Sequence, residues 1–266
     1  MRVLFFGDVV GQAGRKAIAA VLPRWRQQFR PDIVLANGEN MAHGMGITPE
    51  TAAELFTLGI AVITLGNHTF RRKEAAALLA ADPRVLRPAN YPPGVPGQGV
   101  GVFPVGGRPL AVISLMGRIF MDPIDDPFRC ALEQVPLLKE QTPCIILDIH
   151  AEATSEKAAL AWLLDGQVSA VIGTHTHVPT ADARILPAGT GFITDAGMCG
   201  PRDSVLGVRT DIVLERFLTW MPVRFEPAGG PAIVSAVLVD IDEASGHAVT
   251  MTHLQEVVDP AAAGSM

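Results

Sequence analysis

Cysteine is scarce in this chain. There are three in 266 residues, Cys130, Cys144 and Cys199, an odd number with wide spacing and no CxxC pair. That argues against a disulfide framework or a thiolate zinc site, and a reducing cytosol is the expected compartment. Tyrosine is rarer still, with Tyr91 alone. Basic residues are outnumbered, 21 Lys and Arg against 27 Asp and Glu, for a net charge of −6. No basic patch runs along the chain, so stable binding to duplex nucleic acid is not expected. No apolar run reaches the ~18–20 residues of a membrane span. The opening MRVLFFGDVVG breaks at Asp8 and lacks the apolar core and small-residue cleavage site of a signal peptide, so a cytoplasmic protein with no membrane partner is expected. Charge blocks, internal repeats and low-complexity linkers are missing too. Residues 1–266 are therefore expected to form one domain, long enough at 48% hydrophobic content to bury a large core. Self-association into a homo-oligomer is compatible with all of this.

What the chain does have is alternation of strand and helix patterns. Strands are predicted at 2–6, 32–36 and 60–65, and again at 100–105, 110–115, 143–149, 168–172, 182–186, 191–194 and 232–241. Helices are predicted from Arg15 to Phe29, after Thr48-Pro49-Glu50, from Arg71 to Ala81, and at 127–139, 155–164 and 211–219. Thr48 is a fitting N-cap with Pro49 at the first helical position. Pro23 should kink or split the first helix. Residues 82–107, rich in Pro and Gly, read as a long loop entering a strand, with a hairpin at Gly106-Gly107. The tail 259–266 is expected to fray. The pattern suggests two sheets covered by helices.

Five of the apolar runs end in metal-binding side chains. VLFF leads to Asp8, DIVLA to Asn37-Gly38-Glu39-Asn40, and AVITL to Gly66-Asn67-His68. CIIL leads to Asp148-Ile149-His150, and SAVI to Thr174-His175-Thr176-His177. Polar residues at strand exits are how an α/β sheet builds a site along its carboxyl edge. Five such exits, offering carboxylate, amide and imidazole, read as one convergent metal site. His175 and His177 are two apart, so an extended segment would point both the same way. Glu39 can bridge two cations, although Asn-Gly is also a turn former in its own right. Asn67 offers a neutral oxygen. His68, next to it, stands where a proton donor to a leaving oxygen belongs, unless it is a structural histidine. Asp148 either orients a ligand or is a plain buried carboxylate. His43 either touches substrate or is an exposed loop residue, and His247 and His253 read as structural. GDVVGQAG does not complete GxGxxG, which argues against dinucleotide binding.

Taken together, Gly7-Asp8, NGEN, Gly66-Asn67-His68, the lone His150 and THTH resemble the calcineurin-like metallophosphoesterase superfamily. DIHAEATSEK, GTHTHVPTAD and TDAGMCGPRDSVLG resemble its bacterial YmdB-like branch, and the likeness covers almost the whole chain. The resemblance implies a four-layer α/β/β/α sandwich. It implies two metal ions per chain, iron, manganese or zinc. One would be held by Asp8, Glu39, Asn40 and His177, the other by Glu39, Asn67, His150 and His175. The superfamily's usual Asp-x-His is broken here by Val10, with Asn40 as the replacement. Tyr91, in a proline-rich loop, does not match the purple acid phosphatases. The implied activity is hydrolysis of phosphodiesters, cyclic nucleotides included, by attack of a metal-bridging hydroxide, with Glu39 and His68 as the catalytic residues. Two other classes use similar residues. Metal-dependent amide hydrolases usually carry HxH on the first strand of a barrel, which this order does not fit. A regulatory protein that binds metal and nucleotide with little turnover would need the same residues, and an assay of turnover separates it.

Overall fold

A computed structural model describes residues 1–259 of the chain. The expectation for the tail therefore falls, apart from Asp259, outside the described residues. In chain order the elements are β1 (Arg2–Phe6), β2 (Asp8–Val9), α1 (Gly11–Phe29), β3 (Ile33–Asn37), α2 (Pro49–Thr57), β4 (Val62–Thr64), α3 (Ala75–Ala81) and β5 (Val85–Leu86). There follow β6 (Val100–Val105), β7 (Arg108–Met116), α4 (Pro127–Lys139), β8 (Ile145–His150), α5 (Thr154–Leu163) and β9 (Ala170–Thr174). The last are β10 (Arg184–Ile185), β11 (Gly191–Ile193), β12 (Met198–Pro201), α6 (Thr210–Thr219), β13 (Ala232–Ile241) and β14 (Ala248–Val258).

These strands make two sheets. The first runs β2-β12-β13-β1-β3-β4-β5, with β14 paired on the outside of β13. Within it β1, β3, β4 and β5 are parallel, and β13 is antiparallel to β1. The second runs β10-β11-β9-β8-β7-β6, with β7, β8, β9 and β11 parallel.

Alternation along the strands builds the layers. In β1, Leu4 and Phe6 face α1, whose Ile18, Val21, Leu22 and Trp25 cover them. Val3 and Phe5 point the other way, into a core shared with Leu110, Val112, Ile146 and Ile172 of the second sheet. The far face of that sheet, Ile113, Ile145, Leu147 and Val171, packs on Ala131, Val135 and Leu138 of α4 and Leu160 of α5. Three cores separate four layers, helix, sheet, sheet and helix. The fold class expected from the resemblance is the one observed.

Several local expectations need correcting. The first helix begins at Gly11, not Arg15, and is continuous through Pro23. Pro23 lies on the exposed face, where water can satisfy the carbonyl that loses its partner. The third helix begins at Ala75 rather than Arg71, after turns that carry the chain out of the functional region. The long loop at 82–107 contains β5. The two-residue β2 and four-residue β12 are too short to show a period. β14, beyond the last strand expected at 232–241, is an edge strand of eleven residues. Thr48 caps α2 as expected, in a reciprocal pair of bonds with Thr51. No helix among the described residues is long and apolar enough to cross a membrane.

Candidate metal centre

The carboxyl ends of β1, β3 and β4 from one sheet, and of β8 and β9 from the other, meet at one place. Asp8 reaches it because the chain passes Gly7 very close to the next strand. A Cβ on Gly7 would lie 1.9 Å from the Gly197 carbonyl oxygen. Gly66 is constrained in the same way, since a Cβ there would stand 2.1 Å from the His150 ring. Only glycine at 66 lets the β4 exit, with Asn67 and His68, close over the end of β8.

Glu39 sits at the middle, 1% exposed. Its Oε2 accepts the His68 backbone N–H at 2.9 Å. Its Oε1 lies 3.2 Å from His150 Nε2, 3.2 Å from His68 Nδ1 and 3.1 Å from Asn40 Nδ2. Asn67 Oδ1 and His175 Nδ1 each stand 3.0 Å from the same His150 Nε2. Asp8 is fully buried, and its Oδ2 accepts the His175 backbone N–H at 3.0 Å. Its Oδ1 has no hydrogen-bond partner and lies 3.8 Å from His177 Nε2. That orphaned buried carboxylate oxygen is the kind of group that calls for a cation.

Hydrogen bonds on the far side of each ring decide which nitrogen is offered. The Thr174 hydroxyl donates to Asp148 at 2.7 Å, so at 2.9 Å it accepts from His150 Nδ1. The Nε2 lone pair of His150 therefore faces inward. The Leu206 carbonyl can only accept, so His177 Nδ1 carries the hydrogen on that 2.9 Å contact and Nε2 is left facing Asp8. Glu152 lies 3.1 Å from His175 Nε2, which turns the Nδ1 lone pair inward. Three imidazole lone pairs, an amide oxygen and two carboxylates converge. Such a nitrogen and oxygen set without sulfur suits hard to borderline divalent ions. The ligating atoms of Glu39, His150 and His175 alone lie within 4.8 Å of one another.

The electrostatics agree. Burial works against a charge on Glu39, but His150 and His68 hold its carboxyl well below the usual range. Burial also opposes a proton on His150, yet Glu39, Asp8 and Asp148 push its value up to about 9. Burial and the charge on His150 push His175 down to about 3. Burial pushes the Asp8 carboxyl up against the pull of His177 and His150. Without an ion, His150 therefore also holds a proton on Nε2, where the acceptors meet, and a cation bound there would displace that proton and take the lone pair.

All eight residues assigned to metal binding or catalysis gather here, but two expectations about their geometry fail. Residues 174–177 are not extended past Thr174. His175 and His177 both have left-handed backbones, φ 103° and 66°. The turn is held by Asp8 at His175 N and by Asp195 at Thr176 N (3.1 Å), with Asp195 itself anchored by the buried Lys157 at 2.8 Å. Asn40 turns its amide nitrogen, not its oxygen, toward His177, at 3.1 Å. Its oxygen accepts from His68 Nδ1 at 2.7 Å. Asp148 acts on His150 through Thr174 and is also held by Thr64 and Asn37. His43 is exposed and faces a separate cavity shared with Arg15 and Lys16, lined by none of the centre's residues. The sequence reading missed Thr174, Glu152, Thr64 and the Leu206 carbonyl. Of these, only Glu152 left a signal, two residues beyond His150.

Comparisons with known proteins point one way. The family model described as YmdB-like protein matches residues 4–254. A Bacillus subtilis protein named 2′,3′-cyclic-nucleotide 2′-phosphodiesterase is 47% identical over 254 residues, 96% of each chain. The crystal structure of a phosphatase from Mycoplasma pneumoniae superposes with a TM-score of 0.91 at 32% identity, covering 100% of this chain and 96% of that one. A calcineurin-like phosphoesterase of Bacillus subtilis shares the fold, with a TM-score of 0.57 at 12% identity over 98% of this chain and 91% of that one.

Proposed function

We infer the reaction from one premise: this chain belongs to the YmdB-like protein family. It is a metal-dependent phosphoric ester hydrolase, and the substrate class we propose is the 2′,3′-cyclic nucleotides and related small phosphodiesters. The observation that carries this is the convergence of three imidazole lone pairs on Glu39, Asn67 and the unpartnered Asp8 Oδ1. Two divalent ions, of iron, manganese or zinc, fit that set. Asp8, Glu39, Asn40 and His177 would hold one, with the Asn40 amide turned over. Glu39, Asn67, His150 and His175 would hold the other. When bound, such ions lower the pKa of water to about 7 and clamp phosphate oxygens.

The chain's own residues do the rest. Glu39 lends charge to both positions. Thr174, Glu152 and the Leu206 carbonyl fix the ring orientations, so the three imidazole donors need no rearrangement. With the Asn40 amide turned over, its Nδ2 would donate to His68 Nδ1, so the hydrogen of the ring sits on Nε2, from where it can pass to the leaving ribose oxygen. The whole of 1–266 acts as one catalytic unit, in the cytoplasm.

Elemental analysis and turnover of 2′,3′-cyclic AMP test the reading together. Close to two ions per chain are expected, with activity lost on chelation and restored by manganese. Glu39→Gln keeps the shape and removes the charge, so it should lose both metal and turnover. A chelated protein that is fully active, or a Glu39→Gln variant with both ions and normal rates, overturns it.

A further inference from the structure

Beside the centre lies a cleft of about 350 Å³, lined by Asn67, Arg71, Phe120, Met121, Asp122 and His175. Two of the six belong to the metal centre, and nothing described so far uses the other four. Phe120 is 89% exposed, more than any other large apolar side chain among the described residues. Its backbone is left-handed, φ 61°, a region that disfavours bulky side chains. The loop that carries it is nevertheless fixed. The buried Glu156 carboxylate accepts the backbone N–H groups of Arg118 at 2.9 Å and Ile119 at 3.3 Å. Asn90 bonds both backbone groups of Met116 and the Asp125 carbonyl. Arg118 pairs with Asp126 at 2.9 Å. Both ends are tied down, and a bare phenyl ring is held at the tip in water. Across the cleft, Arg71 has no hydrogen-bond or ion-pair partner through its guanidinium among the described residues.

We propose that this cleft is a nucleobase subsite. Phe120 offers its face to the purine or pyrimidine of a nucleotide whose phosphate sits at the metal centre. Every base has a π-face, so one aromatic ring serves all of them. Arg71 supplies a cation for an anionic ligand, and Asp122 an acceptor for a base amine or ribose hydroxyl. Four of the six lining residues are polar or charged, and Phe120 is the one phenyl face among them, in a cleft whose volume falls in the range of small-molecule pockets. The inference deepens the phosphodiesterase reading and rests on it. Phe120 does not touch the reacting atoms. It sets which phosphoesters are held well.

The test compares ligands with and without a base on the metal-loaded protein. Calorimetry gives Kd for adenosine 3′-phosphate and for inorganic phosphate. Kinetics give KM and kcat for 2′,3′-cyclic AMP and for glycerol 1,2-cyclic phosphate, which keeps the ring but has no base. Phe120→Ala should weaken adenosine 3′-phosphate about 10- to 100-fold more than it weakens phosphate, the size of a stacking contact. The loss with cyclic AMP should fall mainly on KM and exceed that with the glycerol ester by a similar factor. Phe120→Trp should restore both. Equal losses on both ligands, no loss on either, or a wild-type protein that binds the nucleotide no tighter than phosphate overturns the subsite. So does a changed oligomeric state in Phe120→Ala, which would make the ring an interface residue. If neither cyclic ester is hydrolysed but the binding difference holds, the reaction assigned above fails and the subsite stands.

Discussion

His150, His175 and His177 are each turned by a single neighbour, a hydroxyl, a carboxylate and a carbonyl respectively. Those neighbours touch no substrate, yet they decide that lone pairs rather than N–H groups meet at the centre. His68 is arranged differently. Its Nδ1 is held by Asn40, and its Nε2 has no hydrogen-bond partner among the described residues. His68→Ala should therefore keep the metals and lose about 10²–10⁴-fold in turnover. A nitrophenolate leaves without much protonation, so nitrophenyl esters should suffer least and a cyclic nucleotide most. Rates for both substrates at matched metal occupancy check this. An equal loss, or metal loss, would make His68 a ligand or a structural residue. The residues of the centre were legible in the sequence because each ends an apolar run. Their orienting partners were not, since a hydroxyl such as Thr174 or a main-chain carbonyl such as that of Leu206 carries no pattern. The backbone of the THTH segment was misread for a related reason. Local spacing suggests an extended strand, whereas bonds from Asp8 and Asp195, distant in sequence, impose the left-handed turns.

At the scale of elements, long apolar runs were read well. β13 and α4 both match their expected bounds, 232–241 and 127–139. Short elements that exist only because a neighbour lies beside them, β2 and β12, were not visible. The first strand shows how pairing adds to burial. Arg2 stands opposite Asp240 of β13 and donates through Nε at 2.6 Å and Nη2 at 3.1 Å. Hydrogen bonds from Arg2, opposed by burial, hold the Asp240 carboxyl below its ordinary value. A carboxyl whose folded value is depressed stabilises the fold above its unfolded pKa, about 3.9. That contribution is lost as pH falls toward the folded value. Asp240→Asn should thus lower the melting temperature at pH 7, and the gap to wild type should shrink as pH falls below the unfolded value of about 3.9 toward the folded one. A gap that stays constant with pH would assign the loss to packing rather than to charge. Arg2 is more than a third exposed, so the effect should be modest.

Across the whole molecule, the centre lies where the two sheets meet. Asp8, Glu39, Asn40 and Asn67 come from one sheet's strand exits, and His150, His175 and His177 from the other's. Ions that bind only the folded chain add stability by mass action, and here they would do so across the seam between the sheets. Chelation should lower the melting temperature by several degrees, on the order of 5–10 °C for a chain of this size. Calorimetry of loaded and stripped protein measures it. Identical curves would mean that the sandwich holds without its ions. If the shift is found, the two sheets are riveted as well as packed. Metal starvation would then shorten the protein's lifetime as well as idle it: the seam would open more often to proteases, and the amount of enzyme would follow the supply of the ion.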